Sequence, residues 1–113
     1  MDLNEYQSKA ALTAIETTTE HMAFGLLEEA GEIAAVFKRV WRHDADYLNP
    51  DDTNGLGPVA YDKLEAELGD LLWYVAMLAD NLGFSLNEIA LYNLNKLQRR
   101  KAKDLIHGSG DDR

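Results

Sequence analysis

Apolar residues recur along the chain at the three- and four-residue intervals of a helix, and no stretch alternates long enough to be a strand. The clearest stripe is Ala23, Leu26, Leu27, Ala30, Ile33, Ala34, Phe37 and Trp41, on a helix opened by Thr17 with Glu20 at the capping-box spacing. Leu64, Leu68, Leu71, Leu72, Val75, Leu78, Ala79 and Leu82 mark a second long helix, closed by Gly83 just past its C-cap. Ser85 and Glu88 make another capping box ahead of Leu86, Ile89, Ala90 and Leu97, so a last helix runs to about Lys103. A first helix opens at Asp2, with Glu5 three residues on, and extends to about Thr17. Pro50, Pro58, Gly55, Gly57 and several Asn and Asp residues place the one substantial loop between His43 and Pro58. The pattern predicts an all-α bundle of four to five helices.

Trp73 and Met77 lie off the Leu-rich face of their helix, and a helix that is apolar on two sides must be covered on two sides. A second copy of the chain is the expected cover, completing the bundle. Packing by the first and fourth helices of the same chain is the alternative.

Composition limits the function classes. A length of 113 residues makes one domain, assigned here to 1–107, with 108–113 expected as a flexible tail. With no Cys there is no disulfide framework, thiolate metal site or Cys nucleophile. Without a basic start followed by an apolar run, or a stretch long enough to span a bilayer, a cytoplasmic protein with no membrane partner is expected. Twenty acidic residues against 11 Lys plus Arg give a net charge of −9, which excludes the basic footprint of a duplex nucleic-acid binder. A phosphate-bearing ligand therefore needs a cation to mediate.

Glu28, Glu29 and Glu32 sit on the helix after Thr17, and Glu67 and Asp70 on the helix after the loop. At about 100° per residue, Glu29 and Glu32 are displaced by roughly 100° and 160° from the apolar stripe, and Glu67 and Asp70 by roughly 80° and 140° in the same sense from theirs. Antiparallel packing places equal offsets on one side of the hairpin, and folding about residues 49–50 brings the acids to one level. Such a cluster repels itself unless a hard divalent cation joins it, and oxygen ligands favour Mg²⁺ or Mn²⁺. The plainer alternative is a solvated acidic helix face. A di-iron carboxylate bundle wants Glu-x-x-His pairs, and no His here follows a Glu at that spacing. On the last helix, Asn93, Lys96 and Arg100 share nearly one face and are candidate phosphate ligands, the alternative for the basic residues being to complement the helix dipole. Tyr6, Gln7 and Thr13 are candidates for lining a pocket.

The segments Gly25–Ile33, Glu67–Tyr74 and Asn93-x-x-Lys96-Leu97-x-x-Arg100 together resemble the MazG-like all-α NTP pyrophosphohydrolases, over most of the chain. Gly31 and Gly69, inside helices, are expected to mark close approaches. The resemblance implies Mg²⁺-dependent hydrolysis of a (deoxy)nucleoside triphosphate between the α and β phosphates, with Mn²⁺ as a substitute. It implies Glu29, Glu32, Glu67 and Asp70 as metal ligands, Glu28 or Glu29 as the base, Asn93, Lys96 and Arg100 at the phosphates, and sites near subunit contacts. Two other functions remain open: a non-catalytic acidic interaction protein, and a pyrophosphohydrolase for a different nucleotide-like pyrophosphate.

Overall fold

The computed structural model describes residues 1–103. Four helices follow in order: α1 (Leu3–Ala11), α2 (Thr19–Trp41), α3 (Pro58–Asn81) and α4 (Leu86–Ala102). Among the described residues there is no strand, a lone antiparallel bridge between Leu48 and Leu56 being the nearest approach to one. The expected tail at 108–113 lies outside the described residues. No described helix is long and apolar enough to cross a membrane.

The caps explain the boundaries. Asp2, Thr18 and Ser85 each accept a hydrogen bond from the backbone N–H three residues on and so start α1, α2 and α4. The cap of α2 is thus Thr18, one residue beyond the expected Thr17. Gly83 takes a positive φ of 78°, the N–H of Phe84 donates to Ala79 O at 2.8 Å and that of Gly83 to Asp80 O, which ends α3 as anticipated. The first helix is shorter than expected and stops at Ala11. The Thr13 hydroxyl donates to Ala10 O at 2.7 Å, claiming a carbonyl at the end of the helix, and the chain then crosses to α2 in open turns.

The helices α2 and α3 form an antiparallel hairpin, since Met22 at the start of α2 shares a core with Ala76, Met77 and Ala79 at the end of α3, while Val36 packs with Ala60 and Leu64 at the other end. These are two separate apolar clusters, one at each end of the hairpin. The first is completed by Ala10 of α1 and Leu86 of α4, the second by Tyr47 and Leu56 of the connecting loop. Met77 is therefore covered from within the chain, while Trp73 is half-buried, packed on one side against the cluster that includes α1. Met77 thus gives no reason for a second subunit.

The face of α2 turned toward α3 also differs from the expected stripe. Met22, Leu26, Ile33, Val36 and Val40 are the shielded residues, a line rotated by roughly 70° toward the acids. Leu27, Ala30, Ala34, Phe37 and Trp41 are exposed, Leu27 by 73% and Trp41 by 79%. On α3, Leu68 and Leu72 are exposed as well. By helical rotation all of these lie on the side of the hairpin opposite the acids. The Cα radius of gyration, 17.2 Å, exceeds the ~13 Å of a compact chain of this length.

Gln7 ties α1 to both other helices at this end. Its amide nitrogen donates to Phe84 O at 2.9 Å and, more weakly, to Ala76 O at 3.4 Å, and its oxygen accepts from the N–H of Leu86 at 3.0 Å. It is a buried structural tie and lines none of the clefts described below. Gln7→Leu strands these backbone groups, so thermal melting should show a loss of about 2 kcal/mol, or at least about 8 °C in Tm.

The loop is tied down by two carboxylates. Asp52 accepts from Tyr61 Oη at 2.7 Å and from the N–H groups of Asn54 and Leu56, and Arg39 holds Asp44 through two nitrogens while donating to Tyr47 Oη. The Tyr61 hydroxyl, then the backbone donors, hold Asp52 below its ordinary value of 3.8, and Arg39 does the same for Asp44. A lowered folded-state value contributes stability that is present above the ordinary 3.8 and is lost as pH falls below it through the folded-state value. Amide protection at Asn54 and Leu56, taken relative to the intrinsic exchange rate at each pH, should therefore hold at pH 5 and fall below pH 3.8, and Asp52→Asn should blunt that acid dependence.

Candidate active site

The middle of the hairpin, between the two apolar clusters, is acidic. Glu29 of α2 and Glu67 and Asp70 of α3 each place a carboxylate oxygen within 4.8 Å of the others. Glu29 lies on the α3-facing side of its helix and is half-buried there, so it meets α3 more directly than its expected offset implied. Among the described residues none of the three is in an ion pair; the pair present is Arg39–Asp44. Burial, a hydrogen bond shared with Glu67, and the charges of Asp70, Glu67 and Glu28 push the Glu29 carboxyl above its ordinary range. Burial and then Asp70 likewise raise the Tyr6 phenol. Three carboxylates facing one another, with burial and mutual repulsion raising the proton affinity of Glu29, are a donor set suited to a hard divalent cation.

The remaining candidates fall around this group. Glu32 is exposed and lies outside the three-carboxylate cluster, but shares with Glu67, Lys63, Arg39 and Tyr47 a cavity of about 150 Å³. Glu28 is exposed, one residue from Glu29. Asn93 is exposed on α4, Lys96 is half-buried with its ammonium 5.9 Å from the Tyr92 ring, and Arg100 is only 5% exposed. The helix α4 packs on α1, and no residue of α4 lines the clefts beside the carboxylates. Gly31 and Gly69 have no atom within 4 Å of a built Cβ, so the expected close approach at these two is absent within the chain.

A cleft of about 410 Å³ opens over Glu29 and Asp70, walled by Thr13, Trp73 and Tyr74. The same three residues border a neighbouring recess of about 380 Å³ that reaches Glu16 and His21, so the two cavities adjoin along Thr13, Trp73 and Tyr74. Thr13 was a candidate lining residue; Trp73, Tyr74, Glu16 and His21 were not. Gly25 gave the one local signal, since a glycine at a half-buried helical position implies a neighbour seated against the backbone.

The fold and this centre define a helical protein with three converging carboxylates, a group able to hold a metal ion, beside a cleft of small-molecule size. The chain belongs to the MazG family: the MazG nucleotide pyrophosphohydrolase domain matches residues 17–104, a span that includes the acids of both helices and the candidate residues of α4. It is also 38% identical, over the full length of both chains, to the Gene 37 protein of Mycobacterium phage L5, a name that states no activity. No solved structure gives a significant match. Family membership makes nucleotide pyrophosphohydrolase activity with a metal ion the general expectation for this centre.

Proposed function

We propose that the protein hydrolyses (deoxy)nucleoside triphosphates at the anhydride between the α and β phosphates, yielding a nucleoside monophosphate and pyrophosphate, with Mg²⁺ as cofactor and Mn²⁺ as a substitute. The observation that carries this is the convergence of Glu29, Glu67 and Asp70, two of which, Glu29 and Asp70, line an open cleft. These three hold the cation, and Glu32, next to Glu67 across the small cavity, joins them from the following turn of α2. When bound, the cation neutralises triphosphate charge and acidifies a water. Glu28 or Glu29 takes the proton of the attacking water, the raised affinity of Glu29 for a proton favouring Glu29 when it is not engaged as a ligand. Asn93, Lys96 and Arg100 of α4 line no cleft beside the carboxylates of their own chain, so in this proposal they meet phosphate oxygens, as an amide, an ammonium and a guanidinium, at the site of a neighbouring copy.

The active form in this proposal is a homodimer or homotetramer. Its support is the uncovered apolar side of the hairpin, where Leu27, Phe37, Leu68 and Leu72 stand exposed; pairing two hairpins there makes a four-helix bundle and leaves both carboxylate centres facing outward. The deciding experiment is pyrophosphate release from a panel of ribo- and deoxynucleoside triphosphates with Mg²⁺, with Mn²⁺ and with EDTA. Release with either metal and none with EDTA is expected. Absence of release from every triphosphate would overturn the proposal.

A further inference from the structure

The recess beside the carboxylates has a wall that the chain takes care to hold still. Trp73 and Tyr74 meet edge to face with ring centroids 5.0 Å apart. The indole N–H of Trp73 donates to Thr13 Oγ1 at 2.8 Å, and that hydroxyl in turn donates to Ala10 O, so the ring is anchored through a two-bond chain to the end of α1. Tyr74 is seated against Gly25: a Cβ built there would overlap the tyrosine ring. Gly25 lies one turn before Glu29 on α2 and Tyr74 one turn after Asp70 on α3, so the aromatic wall and the cation ligands share the same backbone.

We propose that this recess takes the base of the nucleotide against Trp73 and Tyr74, with Thr13 and Gly25 as positioning residues and Glu16 and His21 as the polar rim that selects among bases. This rests on the nucleotide hydrolysis proposed above. The recess and the metal cleft share Thr13, Trp73 and Tyr74, so a ligand with its phosphates over Glu29 and Asp70 has its other end here. A flat heterocycle is the group that an aromatic wall rewards, by stacking. The rim adds direction. The Glu16 carboxylate accepts hydrogen bonds and donates none, so it favours a base presenting an exocyclic amino group, as cytosine and adenine do, over thymine and uracil, which present a carbonyl oxygen there.

The test reads binding as well as turnover. Trp41→Phe leaves Trp73 as the sole indole of the 113-residue chain, because the sequence holds two Trp. In that background, saturable quenching of Trp73 emission is expected with deoxycytidine and deoxyadenosine monophosphates, weaker quenching with thymidine monophosphate, and none with inorganic pyrophosphate. Gly25→Ala, which forces Tyr74 aside, and Thr13→Val, which removes the anchor of Trp73, should each weaken nucleotide binding by about tenfold, the size of one lost base stack. In turnover they should raise KM for nucleoside triphosphates more than they lower kcat. Glu16→Gln should narrow the gap between amino-bearing bases and thymine, since an amide both donates and accepts. Absence of saturable quenching by every monophosphate, or unchanged KM and affinity in both Gly25→Ala and Thr13→Val, would overturn the recess while leaving pyrophosphate release by the wild type to stand. Wild-type quenching without any pyrophosphate release would instead remove the hydrolytic activity and keep the recess.

Discussion

Glu29→Gln and Asp70→Asn are each expected to reduce pyrophosphate release from a nucleoside triphosphate by at least about 100-fold, while raising the thermal midpoint of the metal-free protein. The first effect follows from removing a negative ligand from a site whose work is electrostatic, where the loss of one well-placed group typically costs two to three orders of magnitude. The second follows from the same geometry with the opposite sign. The carboxylates of Glu29, Glu67 and Asp70 crowd within 4.8 Å of one another and, among the described residues, none of them is in an ion pair, Lys63 and Arg39 only sharing a cavity with Glu67, so neutralising one relieves a repulsion. A relief of a few tenths of a kcal/mol, ordinary for like-charge neighbours on helices, corresponds to about 1–3 °C. Mg²⁺ should then stabilise the wild type in melting experiments and stabilise both variants far less. A variant that loses activity and also melts lower without metal would mean that the acids support the fold by some other contact.

The second large effect concerns the opposite side of the hairpin. Leu27→Glu combined with Leu68→Glu is expected to shift the protein from the proposed oligomer to a single copy in sedimentation, because each substitution places a charge on the exposed apolar face through which the copies are proposed to pair. Leu27 is 73% and Leu68 54% exposed in the single chain, so the substitutions remove little packing from the fold itself. Far-ultraviolet circular dichroism should accordingly stay helical. If the doubly substituted chain sediments like the wild type, the exposed face is not where copies meet.

How much of this was legible in the sequence differs from element to element. The helix starts at Asp2 and Ser85 and the stop at Gly83 were readable because each is a local event, a side chain or a glycine serving backbone groups within four residues. The convergence of Glu29 with Glu67 and Asp70 was readable because helical rotation is regular. The inward face of α2 was not. Its outward side carries Leu27, Phe37 and Trp41, a stripe as apolar as the inward line of Met22, Ile33, Val36 and Val40, and periodicity cannot tell which of two apolar faces meets a helix of the same chain. The order of the 43–57 loop was hidden for another reason. Bonds such as Tyr61 to Asp52 and Arg39 to Asp44 join residues at irregular spacing and leave no repeating signal. The aromatic recess combines both obstacles, since Thr13 and Trp73 are 60 positions apart.

The acidic band lies between the two apolar clusters of the hairpin, and this arrangement bears on cooperativity. Met22 with Met77 on one side and Val36 with Leu64 on the other are tied to each other by the continuous helices but separated by a stretch that repels itself. In the metal-free chain the halves are therefore expected to behave as two partly independent folding units, with amides around Leu64 and around Met77 opening at different free energies in hydrogen exchange. A cation held by Glu29, Glu67 and Asp70, as proposed above, would join them across the break. Loading the site would then do more than prepare a reaction: it would couple two short cores in a chain of limited apolar burial, and the two sets of amides should converge in protection when metal is added.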